Sequence, residues 1–102
     1  MISDGTGITI ESLGNSLITQ FEPIEFESQV FPYIDTIEKA QDLALQINQT
    51  YESTGLHPLI FMTLVNPQIA EVLQKTNARI FDLFNTFISP LEEELGIKAA
   101  LS

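Results

Sequence analysis

A strand-to-helix loop rich in glycine is the part of this sequence whose residue types could do chemistry. It reads Ser3-Asp4-Gly5-Thr6-Gly7-Ile8-Thr9. Gly5 and Gly7 permit positive φ and let a ligand approach the backbone closely. A helix starting beyond Gly7 would offer free N–H groups and a positive dipole end, which hold a phosphate or carboxylate. Hydroxyls of Thr6 and Thr9 would add donors. Gly5, Thr6, Gly7 and Thr9 are therefore the candidate anion- or nucleotide-binding residues. The same segment also reads as a tight turn in which Thr6 or Thr9 caps the helix. Asp4 stands beside the anion position and would oppose it unless a cation intervened. The Gly-x-x-x-x-Gly-Lys-Ser/Thr spacing is lacking, so the loop is not a P-loop.

Other chemically capable residues have plainer readings. His57, the lone histidine, precedes Pro58 at the amino end of a strand, away from the edge where open α/β sheets gather ligands. It reads as a loop residue rather than a general base. Asp4, Asp35, Asn66, Asp82 and Asn85 all fall toward the carboxyl ends of strands. Convergent oxygens there could hold Mg²⁺, but Asp35 and Asn66 fit helix caps and Asp82 a loop. No catalytic residue and no metal ligand is assigned.

The charge balance narrows the function further. Fourteen acids stand against Lys39, Lys75, Arg79 and Lys98, a net charge of −10. Such a surface repels nucleic-acid phosphates, so DNA or RNA is not an expected partner. Phosphoryl transfer also needs cations where charge moves, and four scattered ones are sparse provision. Cysteine is absent, so neither a disulfide nor a thiolate nucleophile is available. Met1 to Gly5 lacks the basic and apolar regions of a signal peptide. No apolar run approaches the roughly 18 residues that span a bilayer. A cytoplasmic protein without a membrane partner is expected.

The elements that must position the loop alternate in type. Ile10, Leu13, Leu17 and Phe21 make an amphipathic helical stripe over Ile8 to Phe21, with Gly14 inside it. Ile24 to Tyr33 alternates apolar and polar residues and predicts a strand with one wet face. Asp35 with Glu38 predicts a capping box for a helix over Asp35 to Ser53, its buried stripe Ile37, Ala40, Ala44, Ile47 and Tyr51, its stop Gly55. Pro58 to Val65 is almost continuously apolar, as a central parallel strand is. Asn66-Pro67 predicts cap and first turn of a third helix carrying Ile69, Val72 and Leu73. Arg79 to Phe84 predicts a further strand. Ser89-Pro90-Leu91-Glu92 predicts a last helix closed by Gly96. The Glu92-Glu93-Glu94 run suits a first turn, where acids complement the dipole. Phe81, Phe84 and Phe87 are expected to fill a core. The fold class is α/β: a three-layer α-β-α arrangement on a mainly parallel, four-stranded sheet with a short or truncated first strand. One domain spans residues 1–102.

Several of these segments carry a resemblance. Ser3-Asp4-Gly5-Thr6-Gly7-Ile8-Thr9, then Glu11-Ser12-Leu13-Gly14 and Ser16-Leu17, closely resembles the opening of the phosphoenolpyruvate synthase regulatory proteins. Gln20-Phe21, Phe31-Pro32-Tyr33-Ile34-Asp35, Phe61-Met62-Thr63-Leu64-Val65-Asn66-Pro67 and Asp82-Leu83-Phe84-Asn85-Thr86-Phe87-Ile88 with Pro90-Leu91-Glu92 match the family in order. The resemblance covers nearly the whole chain. It implies the N-terminal portion of a bifunctional kinase and phosphorylase. ADP and inorganic phosphate are the implied cosubstrates, and phosphoenolpyruvate synthase or a related dikinase the implied partner. ADP would phosphorylate a threonine of that target. Inorganic phosphate would remove it, releasing pyrophosphate. The family's P-loop-like motif has no match here, so its C-terminal part is expected to be absent and this portion inactive alone. Apolar residues facing that missing part would favour a homo-oligomer.

Two other readings compete. A flavodoxin-like electron carrier binding flavin mononucleotide would use Thr6-Gly7-Ile8-Thr9 as a phosphate loop, but a fifth strand and flavin-stacking aromatic loops are lacking. A phospho-receiver needs an aspartate after the third strand, where Leu64-Val65-Asn66 stands instead.

Overall fold

The computed structural model describes residues 1–100. Strand β1 is Ile2–Ser3, β2 is Leu59–Thr63 and β3 is Arg79–Asp82. They form one parallel sheet in the order β1-β2-β3. The helices are α1 (Ile8–Ile18), α2 (Ile37–Thr54), α3 (Pro67–Gln74) and α4 (Ser89–Leu95).

Alternation along the strands sorts side chains between the two faces. Ile2, Ile60, Met62 and Leu64 join Ala40, Leu43 and Ile47 of α2 and Ile69, Ala70 and Leu73 of α3 in one buried cluster. On the opposite face, Met1 packs toward Gly14 of α1, and Ser3 and Thr63 are buried. Helices therefore lie on both sides of the sheet.

The sheet has three strands rather than the four expected. Ile24 to Tyr33 forms no strand. It runs beside β1 and meets it in an isolated parallel bridge, Ile2 with Phe31. Phe31 N–H donates to Met1 O at 2.8 Å, and Ser3 N–H donates to Phe31 O at 3.1 Å. Tyr33 stops the ladder there: it takes φ 59°, in the left-handed region where a strand cannot continue, and its N–H turns to Gly5 O.

Helix starts depart from expectation in two places. Thr36, not Asp35, caps α2, accepting from Lys39 N–H at 3.2 Å. Asp35 instead receives Lys39 Nζ at 2.8 Å. The buried stripe of α2 runs through Leu43, and Ala44 is half-buried. Ser89 caps nothing. A π-type turn over Phe84–Ile88 runs straight into α4, with Ser89 N–H donating to Phe84 O. The start signal is Asp82, whose carboxylate accepts from Asn85 N–H at 3.1 Å and from Asn85 Nδ2 at 2.7 Å. The wider turn suits Pro90, which cannot donate in the next turn and whose ring crowds an ordinary helix.

The other punctuation is as read. Gly55 ends α2 at φ 72° and Gly96 ends α4 at φ 70°. Asn66 caps α3 through Gln68 N–H at 2.9 Å. The stripe of α1 is only partly buried: Ile10 and Gly14 face the sheet, while Leu13, Leu17 and Phe21 are exposed. Of the spaced phenylalanines, Phe84 is buried and Phe81 and Phe87 are exposed.

Gly14 yields a prediction that isolates packing from propensity. A Cβ there would lie 2.7 Å from Met1 Cε, the free end of a flexible side chain. Alanine also favours the helix over glycine by ~1 kcal/mol. Gly14→Ala is therefore expected to change stability by less than about 1 kcal/mol in a urea melt, because Met1 can turn aside.

A candidate anion-binding loop at the carboxyl edge of the sheet

The glycine loop leaves the carboxyl end of β1 and enters α1, as the sequence predicts. Gly7 is the N-cap of α1 at φ 84°, and Glu11 N–H returns to Gly7 O at 2.9 Å. Two demands meet at this residue. Its φ is one that L side chains rarely adopt, and a Cβ would sit 2.8 Å from Val30 Cγ1. Gly5 does not share the positive φ. Its N–H donates to Ser3 Oγ at 3.0 Å, and its carbonyl accepts Tyr33 N–H at 2.8 Å.

Helices α2 and α3 have side-chain caps, but α1 has none. Thr6 Oγ1 approaches Ile8 N–H at 3.5 Å, the outer limit of a hydrogen bond. Thr6 and Thr9 are exposed and Gly5 half-buried. The four candidate residues thus lie together around an uncapped helix start, where N–H groups and dipole favour an anion.

Glu11 stands exposed in the first turn of α1, while the other polar groups at this edge hold the fold together. Asp4 Oδ2 accepts Val65 N–H at 2.9 Å, tying the exit of β1 to the exit of β2. Asn66 caps α3 and Asp82 holds Asn85. Among the described residues, no group of three His, Cys, Asp or Glu converges as a metal site.

Sequence reasoning missed Tyr33 and Lys39 at this edge. The Tyr33 backbone is bonded to Gly5, and Lys39 Nζ donates to Tyr33 O at 3.2 Å as well as to Asp35. One of the chain's few cations is thereby brought to the loop's neighbourhood, with its charge shared with Asp35. That hydrogen bond, and the ammonium charge behind it, holds the Asp35 carboxyl below its ordinary value. A depressed carboxylate pKa adds stability above the unfolded-state value, and this is lost as pH falls through the folded one. Exposure keeps the contribution small. An NMR titration of the Asp35 carboxyl is expected to show a midpoint below the usual carboxylate range, and Lys39→Met should restore it. An ordinary midpoint in the unaltered chain would mean the pair does not persist in solution.

His57 lies at the opposite end, stacked on Tyr51 with centroids 4.6 Å apart and its Nδ1 bonded to Asn77 O. That end also holds a cleft of about 360 Å³, lined by Met1, Gln29, Phe31, Gln46, Thr50 and Pro58 among others. Size and chemistry disagree here. Open α/β sheets bind ligands at the carboxyl edge, and the cleft's lining includes neither Lys nor Arg nor a helix start, so the loop is the better candidate.

A parallel α/β domain with a glycine loop entering its first helix defines the class of molecule. The particular family follows from comparison with known sequences. The profile of the kinase/pyrophosphorylase family matches residues 1–102, and the chain belongs to that family. A relative from Legionella pneumophila (strain Corby) is 55% identical over 100 residues, 98% of this chain and 37% of that protein. One from Pseudomonas aeruginosa (strain LESB58) is 52% identical over 101 residues, 99% of this chain and 37% of its own length. One from Pseudomonas fluorescens (strain Pf0-1) is 52% identical over 94 residues, covering 92% and 35%. Each bears the provisional name phosphoenolpyruvate synthase regulatory protein. The chain thus spans little more than a third of the relatives it matches. The flavin-carrier reading finds no support in these matches.

Proposed function

We propose that this chain is the N-terminal α/β domain of a phosphoenolpyruvate synthase regulatory protein. The whole protein uses ADP to phosphorylate a threonine of the synthase, or of a related dikinase, and so inactivates it. With inorganic phosphate it removes that group as pyrophosphate and restores activity. It works in the cytoplasm. Within it, this chain is a scaffold and target-recognition domain that transfers no phosphate alone. The family match over residues 1–102 carries this reading.

The charge distribution agrees with the division of labour. Phosphoryl transfer requires cations around the moving group. Here Lys39 is shared with Asp35, Lys75 pairs with Glu71 at 3.2 Å, and Arg79 lies over the Phe81 ring. The C-terminal, P-loop-like part supplies the nucleotide's cations. The loop of Gly5, Thr6, Gly7 and Thr9 contributes an anion contact, to a phosphate of ADP or to the target's phosphothreonine. The uncapped start of α1 supports that role.

Calorimetric titration of this chain with ADP, inorganic phosphate and a phosphothreonine peptide tests the loop. Saturable heat is expected with at least one of them, weakened several-fold by Thr6→Ala together with Thr9→Ala. No heat with any of the three would remove the loop from the site.

A further inference from the structure

The two faces of the sheet are unequally covered. Helices α2 and α3 together bury the face of Ile60 and Met62. The other face carries α1, which buries Ile10 and Gly14 and reaches the central strand β2. Toward β3 the face is partly open: Leu83 and Phe84, beyond the strand, are buried, while Phe61 is half-buried and Phe81 exposed. Phe61 and Phe81, paired in register, stack with centroids 5.3 Å apart, and Arg79 lies over Phe81 at 5.4 Å. Leu59 is 54% exposed and Phe81 38%. A groove of about 180 Å³, lined by Met1, Ile18, Phe26, Leu59 and Phe61, opens on the same face.

Parallel sheets occur almost only with both faces covered by helices. A contiguous apolar surface on one half of one face therefore marks a missing layer. The relatives supply the occupant's source, because roughly two-thirds of their length lies outside this chain, which covers 37% of the first. A second copy is the weaker occupant, since each chain carries −10 and like charges oppose close approach. We infer that an amphipathic helix from the remaining polypeptide of the full-length protein packs beside α1, over Leu59, Phe61 and Phe81. Its apolar stripe fills the groove of Ile18 and Phe26. This rests on family membership and the partly open face, not on any assignment of the reaction.

The absence of cysteine from this chain makes the test direct. Single Leu59→Cys, Phe81→Cys and, on exposed α2, Leu45→Cys variants are labelled with a maleimide. Each is studied in the 102-residue chain and in that chain joined to the unmatched part of the Legionella pneumophila relative, its own cysteines made serine. Labelling at 59 and 81 is expected to slow at least about tenfold on joining, as burial against a stable layer requires, while position 45 is unchanged. Binding of the dye ANS, measured without any cysteine, should fall several-fold. Unchanged labelling at 59 and 81 with unchanged ANS binding would overturn the inference. So would concentration-dependent protection in the 102-residue chain, which would assign the face to a second copy.

Discussion

Met62→Ala is expected to destabilise the chain by ~2–5 kcal/mol, the cost of emptying a fully enclosed site. Met62 has no exposed surface and sits mid-sheet, level with Ile2 on β1 and Asp82 on β3. Its side chain enters the cluster shared by α2 and α3, so its loss leaves a void that three elements border. A small domain has about 5–15 kcal/mol in total, and the substitution removes a large share. Urea unfolding should show the midpoint drop while the slope is kept, because the surface exposed on unfolding barely changes. A loss below about 1 kcal/mol would mean the cluster can close around the void, and that packing here is looser than the burial indicates.

Gly7→Ala should cost nearly as much for different reasons. The left-handed conformation costs an L residue ~1–2 kcal/mol, and the new methyl adds an overpacking cost of ~1–3 kcal/mol. Val30 Cγ1 lies 2.8 Å from the added Cβ. Val30 cannot swing away as Met1 can from Gly14: it is β-branched, and it is held between Gln29, which accepts the N-terminal amine, and Phe31, bonded to Met1 and Ser3. Gly55→Ala separates the two costs. Gly55 has φ 72° and nothing within 4 Å of its added Cβ, so only the conformational cost applies. Gly7→Ala is expected to exceed Gly55→Ala by ~1–3 kcal/mol in thermal unfolding. Equal losses would show that the loop gives way at Val30.

These two sites were not equally legible in the sequence. The apolar run around Met62 marked a buried central strand, and its neighbours Gly55 and Asn66-Pro67 punctuated it correctly, because caps and stops act within a few residues. The Ile24 to Tyr33 segment had a strand's alternation and failed as one. What stopped it, the left-handed Tyr33, lies at the end of an otherwise acceptable pattern. Ser89 looked like a cap, yet Asp82 had already started the helical path seven residues earlier. The exposure of Leu13, Leu17 and Phe21 has another origin, since a stripe shows which face is apolar but not whether anything lies against it.

The candidate site shows the same division. Gly5, Thr6, Gly7 and Thr9 were found from residue type and from the strand-to-helix position. Asp4 stays a negative charge beside the loop, and its carboxylate also anchors Val65, a contact spanning 61 positions that no local pattern encodes. Lys39 reaches the loop's neighbourhood only because Tyr33 and Asp35 fold back beside β1. Long-range pairings decide which charges face a ligand, and they depend on topology rather than on spacing.

The most direct test of the account is a phosphotransfer assay on phosphoenolpyruvate synthase with ADP labelled in its β-phosphate. This chain alone is compared with the same chain joined to the unmatched part of the Legionella pneumophila relative. A labelled threonine is expected on the synthase with the joined protein, with release of the label as pyrophosphate when inorganic phosphate is added, and no label with the 102-residue chain. Label transferred by the 102-residue chain alone, or none from a folded joined protein, would contradict it.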